Sequence, residues 1–315
     1  MAIDIAGGAG SGGGVRRKAR AVRLSRGDKI ALAIMAGVPT LLVGALIWFP
    51  TIASMLLSFT SWDGIGGVGT AKWVGTQNYR EIATIYPPFW PAVRHNAIWL
   101  AFLTFVATPF GLFLAYQLDK RIRGTRVYQS IFYLPVVLSF AIIGFIWQLV
   151  YSPTQGLINN LLGDPNQGHV IDWLGNPKLN LWAILVAVGW RHAGYIMVLY
   201  LAGLKALDPS LREAAAIDGA GEWHAFRTVV FPALRPINII IVVVTAIEAL
   251  RAFDIVYVVN RGRNGLELLS VLVTDNIIGE ASRIGYGSAI AVILIMISIV
   301  PIVVFVWNSF DEDLT

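Results

Sequence analysis

The chain has 315 residues, 56% of them hydrophobic and only 14% charged, with a mean hydropathy of +0.67. These values exclude a soluble core-and-surface protein and mark a polytopic membrane chain. A net charge of +5 would suit nucleic acid, but the basic residues flank apolar runs as membrane topology requires, so that partner is excluded, and the lack of cysteine excludes disulfides, thiolate metal sites and thiol catalysis.

Residues 6–14 are almost all Gly, Ala and Ser, with no apolar face to bury. A disordered, basic, cytoplasmic leader is therefore expected over 1–28, a transmembrane domain over 29–308 and an acidic cytoplasmic tail over 309–315. About 20 apolar residues cross the hydrocarbon core as a helix. Uncharged runs accordingly predict six transmembrane helices near 30–59, 96–118, 127–151, 179–204, 237–259 and 284–308, an all-α membrane protein. The first run is too long for a signal-peptide core and reads as a retained span. With both termini in the cytoplasm, the inner segments carry fifteen Lys and Arg and the outer ones seven, the bias that sets orientation. The outer segments are too short for a solute-capturing domain, which must belong to another polypeptide.

Ionisable residues at membrane depth are costly and belong against protein or water. The fourth span carries Arg191, His192 and Tyr195 near its middle. In the fifth, Glu248, Arg251 and Asp254 recur at i, i+3 and i+6 on a face that includes Thr245. The two groups are expected to meet near the midplane, where polar groups and the rings of Trp190 or Tyr195 suit a sugar. A buried ion-pair network joining the helices, or joining this subunit to a partner, is the equal alternative.

Between these spans lies a polar segment, LREAAAIDGAGEWHAFRTVVFPALRP over 211–236. Asp208 before Pro209 suits a helix start, 210–217 is rich in helix formers, and Asp218 and Gly219 supply the stop. Trp223, Phe226, Val229 and Val230 follow at helical spacing before Pro232, which predicts a helix–elbow–helix over 208–236. No Gly-Lys pair, HExxH or GxSxG occurs, and His95, His169, His192 and His224 lack zinc-ligand spacing. No catalytic residue, metal site or cofactor site is expected in this chain.

Glu213, Ala214, Ala215, Gly219 and Pro232 stand at the spacing of the EAA loop, with Val229 and Phe231 where Ile and Leu are usual. The chain resembles the permeases of binding-protein-dependent ABC importers, in the carbohydrate-uptake branch that includes the larger permease of the maltose transporter. FYLPVVLSFAIIGFIWQLVYSPTQGLINNLL from Phe132, AFDIVYVVN from Ala252 and IGYGSAIAVILIMI from Ile284 extend the likeness over about 75–308. Asn260 to Gly265 departs from the branch's usual Gly-Gly-Pro turn.

The resemblance implies a type I ABC importer permease fold in a prokaryotic plasma membrane. It also implies a second permease, two ATPase subunits holding ATP and Mg, an extracytoplasmic solute-binding protein and a sugar or related polyol as solute. Glu213, Ala214, Ala215, Asp218, Gly219 and Pro232 would couple to the ATPase. By position, Arg191, His192 and Tyr195 match places of solute contact. Two other readings remain open: an ion-coupled secondary transporter using Glu248 or Asp254, and a membrane scaffold whose loop recruits a cytosolic partner.

Overall fold

A computed structural model describes residues 25–120, 123–162, 170–279 and 282–311. Among these the chain is helical, with no strand beyond an isolated bridge between Thr60 and Trp73. It divides into two units, Met1–Ile52 and Ala53–Thr315. Most of the expected leader (1–24) and the end of the tail (312–315) lie outside the described residues.

The first unit contains the start of helix α1, Arg26–Leu57. Ser25 Oγ accepts the Asp28 N–H (3.1 Å) and the Asp28 carboxylate accepts the Ser25 N–H (2.9 Å), a reciprocal capping box. That box starts the helix before the expected residue 30, so 26–28 are helical rather than part of a disordered leader. A π-turn at Gly44–Trp48 ends two residues before Pro50. The same device recurs at Leu103–Ala107 before Pro109 and at Phe226–Val230 before Pro232. Each time the N–H ahead of the proline reaches back five residues: Phe49 to Gly44, Thr108 to Leu103, Phe231 to Phe226. The helix widens where proline offers no N–H of its own.

The second unit continues with α2 (Gln77–Thr84), α3 (Phe89–Asp119), α4 (Thr125–Val137), α5 (Phe140–Val150), α6 (Leu157–Leu162) and α7 (Asn180–Ala206). Then come α8 (Ser210–Ile217), α9 (Glu222–Ala225), α10 (Phe231–Ala233), α11 (Arg235–Leu250), α12 (Asp254–Asn260), α13 (Leu269–Ile277) and α14 (Ile284–Asp311). Among the described residues α1, α3 and α7 are unbroken helices long and apolar enough to cross a membrane.

Three expected spans differ. The second begins at Phe89 instead of 96, because its polar residues find partners inside the fold. His95 Nδ1 donates to the Glu267 carbonyl (2.9 Å), and Asn96 Oδ1 accepts the Leu269 N–H (3.0 Å). The third is bent by 104° between α4 and α5. Leu138 leaves the helix for extended backbone, and Ser139 starts a new one by accepting the Ile142 N–H at 3.3 Å. The fifth is broken at 251–253, where Phe253 has φ −146° and ψ −60° and the Ala252 carbonyl accepts the Ser270 hydroxyl. Gln148 Nε2 then donates to the carbonyls of Val258 (3.2 Å) and Val259 (3.1 Å), satisfying groups at the end of α12.

Three apolar clusters hold the unit together. The first joins Trp99 and Leu103 of α3 to Ile184, Leu185 and Val188 of α7 and Ile255 and Val256 of α12. The second packs Leu114, Ala115 and Leu118 of α3 on Met197, Leu201 and Leu204 of α7, with Phe226, Val230 and Leu234 beneath the elbow. The third joins Ile82 and Phe89 to Leu269 and Leu272 of α13 and Ala289 and Ile290 of α14. The 260–265 turn is stitched down by side-chain amides: Asn180 Nδ2 donates to the Asn264 carbonyl (2.5 Å), and Asn264 Nδ2 to that of Gly175 (2.6 Å).

Candidate functional site: an elbow and an intramembrane polar cluster

The elbow is built from local hydrogen bonds. The Asp208 carboxylate accepts the Ser210 N–H (2.9 Å), which starts α8 and holds the Asp208 carboxyl below its ordinary range. Past Ile217 the Gly219 N–H returns to the Ala216 carbonyl (3.1 Å) and the Ala220 N–H to that of Ala215 (3.0 Å). Gly219 sits at φ +77°, and a Cβ there would meet nothing within 4 Å, so the backbone conformation is what requires glycine. Glu213, Ala214, Asp218 and Gly219 face outwards. Ala215 is buried whereas Ala214 is exposed, so only one of these two alanines offers a small outward surface.

The second arm folds around Phe226, which is buried between Tyr116 (ring centroids 4.7 Å), Trp223 (5.7 Å) and Phe231 (6.1 Å). Pro232 follows the π-turn that seats Phe226 and Val230 inward. Two ion pairs tie the arms to the end of α3: Arg212 Nη1 to Asp119 Oδ2 and Lys120 Nζ to Glu222 Oε2, each 2.6 Å. The Lys120 bond holds the Glu222 carboxyl down and raises the Lys120 ammonium in return, so both are charged at neutral pH. In the sequence Lys120 and Arg212 stand only among the fifteen inner basic residues that set orientation. The one legible hint was the adjacent opposite charges Asp119 and Lys120 at the end of an apolar run.

The polar cluster centres on Glu248. Its Oε1 accepts from Arg191 Nη1 (3.1 Å) and its Oε2 from His192 Nδ1 (2.7 Å). The other His192 nitrogen lies 3.2 Å from the hydroxyls of both Thr108 and Thr245. His192 is 1% exposed and Thr245 2%. The five residues join α3, α7 and α11, and the Arg191 guanidinium lies 4.1 Å over the Phe140 ring at the start of α5. Thr108 and Phe140 gave no signal in the sequence, since a threonine in an apolar run and an aromatic beside a bend are both ordinary.

Arg251 and Asp254 do not share a continuous helical face with Glu248, because the break at 251–253 falls between them. Both are exposed and, among the described residues, make no ion pair. They line a cavity of about 220 Å³ with Glu248, Trp99, Phe140 and Phe253. Asp254 occupies the first turn of α12, where the helix dipole favours a carboxylate. Tyr195 is packed on the apolar group beneath the elbow, and Trp190 stands edge-on to Trp147 with centroids 6.0 Å apart.

Residues 107–314 match the family described as binding-protein-dependent transport system inner membrane component. The chain is 29% identical over 295 residues to a probable ABC transporter permease protein of Pyrococcus horikoshii, covering 92% of this chain and 99% of that one. It is 30% identical over 291 residues to the xylose/arabinose import permease protein of Haloferax volcanii, covering 90% of each. In fold it is similar to a chain in the crystal structure of a bacterial ABC transporter involved in the import of the acidic polysaccharide alginate. There the TM-score is 0.76 at 18% identity, covering 90% of this chain and 96% of that one. The chain therefore belongs to the binding-protein-dependent transport system inner membrane components, as an ABC importer permease.

Proposed function

We propose that this chain is one of two permease subunits of an ATP-driven importer for a sugar or related polyol in a prokaryotic plasma membrane. It receives solute from an extracytoplasmic binding protein and sits on two ATPase subunits, which hold the ATP and Mg. The observation that carries this reading is the elbow at 208–236, with Glu213, Ala214, Asp218 and Gly219 turned outwards on a rigid two-armed frame. The pentose-import permease and the alginate importer support a carbohydrate as solute. Counting the bent α4–α5 pair and the broken α11–α12 pair as one span each gives six, with both termini and the elbow in the cytoplasm. The positive-inside bias supports that orientation.

In this reading ATP-driven closure of the ATPase pair moves the outward face of α8, and the bundle re-aims about a central path. Arg251, Asp254 and the cavity rings meet the solute. Arg191, His192, Thr245 and Glu248 form the floor behind them. Glu248 has both oxygens engaged, which suits a fixed counter-ion better than the proton carrier of a secondary transporter.

The test uses the whole complex. Gly219→Asp keeps its Cβ clear of neighbours but strains the left-handed backbone, so the variant is expected to insert and to co-purify with a second permease and an ATPase. Solute uptake per ATP hydrolysed should fall about ten-fold or more. Undiminished uptake, or a purified chain that never brings an ATPase with it, would overturn the assignment.

A further inference from the structure

The loop that forms the elbow is covalently joined only to α7 and α11, yet two ion pairs tie it to a third helix. Asp119 and Lys120, neighbours of opposite sign at the end of α3, take one arm each. Asp119 binds Arg212 of the first arm, 93 residues away, and Lys120 binds Glu222 of the second, 102 residues away. The polarity registers the arms, because exchanging the partners would set Asp119 against Glu222 and Lys120 against Arg212. Lys120 Nζ also lies 4.6 Å over the ring of Tyr116, and Tyr116 rests on Phe226 of the second arm. Asp119 is sheltered, with its side chain 12% exposed, whereas Arg212, Lys120 and Glu222 are open to solvent.

Solvent-exposed ion pairs contribute little to stability. Two of them on opposite arms do something else: they prevent the elbow from pivoting about its chain ends. One turn further in, Leu114, Ala115 and Leu118 of α3 are packed into α7. The same frame therefore reaches from the outward face of α8 into α3.

We propose that Asp119, Lys120, Arg212 and Glu222 are positioning residues that make the elbow and the inner end of α3 one rigid body, so that motion imposed on the elbow is delivered to α3 as well as to the spans it connects. This rests on the coupling role proposed above for the elbow. The two paired bonds persist through the transport cycle, and α3 carries the displacement to Thr108 and the His192 cluster.

Reciprocal charge reversal in the assembled importer tests the first part. Asp119→Arg or Arg212→Asp alone is expected to lower uptake per ATP hydrolysed about ten-fold while the subunits still co-purify, and the double reversal is expected to restore it. A double no better than either single, or singles that transport normally, would overturn the brace. Should single reversals disturb assembly, the second part decides alone. The chain has no cysteine, so Lys120→Cys with Glu222→Cys gives a unique pair for a reducible bis-thiosulfonate linker. Loss of the ion pair is expected to lower uptake in the unlinked pair and linkage to restore it, whereas uptake that stops on linking and returns on reduction would overturn the brace. Gly219→Asp separates the two levels. If it transports normally, the coupling role itself fails, and if it uncouples while the single reversals transport normally, only the brace does.

Discussion

Replacing Glu248 by alanine is expected to destabilise the permease by on the order of 3 kcal/mol, because removing one partner of a buried ion pair leaves the others uncompensated. Arg191 and His192 would then lose the acceptors they bind at 3.1 and 2.7 Å. His192, with its side chain 1% exposed, cannot turn to water, and Arg191, at 18%, has little access to it and an Nε that already lacks a partner. Against a domain stability of about 5–15 kcal/mol the loss is large. It should appear as a drop in the melting temperature of the detergent-solubilised complex. Glu248→Gln keeps one acceptor oxygen and should cost less. A Glu248→Ala protein that melts like the parent but transports a different range of solutes would reassign the cluster from helix joint to solute contact.

Gly194→Val is expected to prop α4 away from α7. A Cβ at Gly194 would stand 2.1 Å from the Phe132 carbonyl oxygen and 3.3 Å from Val136 Cγ2. The closer obstacle is backbone, which cannot rotate aside, so the helices must separate. Small residues at helix crossings serve this purpose in membrane bundles, where close backbone approach supplies much of the packing energy. Overpacking of this kind costs about 1–3 kcal/mol for a tolerated insertion and more where backbone must shift. The displacement does not stay local. α4 leads through the 104° bend into α5, whose first residue, Phe140, lies under Arg191. A lowered melting temperature of the solubilised complex is the expected readout, with Gly194→Ala milder. Parental behaviour for valine would mean that α4 does not rest on α7 at this point.

The elbow was legible residue by residue because its signals are local. Asp208 before Pro209 starts α8, and Asp218 with Gly219 stops it, through hydrogen bonds that close within a few residues. The starts of α7 and α14 were legible for a similar reason, since each lies where polar loop gives way to an apolar run. The start of α3 was not. Arg94, His95 and Asn96 read as the water-facing edge of a span, and only contacts with Glu267 and Leu269, more than 170 residues on, make His95 and Asn96 interior. The i, i+3, i+6 face proposed for Glu248, Arg251 and Asp254 assumed an unbroken helix. The break at 251–253 ends that face: all three residues line the cavity, but only Glu248 also binds α7.

From the order of residues alone came the membrane class, the family likeness and the two-armed elbow, since apolar run length, charge bias, capping and left-handed glycine all act within a few residues along the chain. Tertiary structure alone decided which charges neutralise one another. Glu248 meets Arg191 and His192 across 57 and 56 residues, and Asp119 meets Arg212 across 93. Such pairings depend on how helices bend and cross: the bend at 138–139 starts locally at Ser139, but the break at 251–253 takes a hydroxyl from Ser270 on another helix, which no local pattern records.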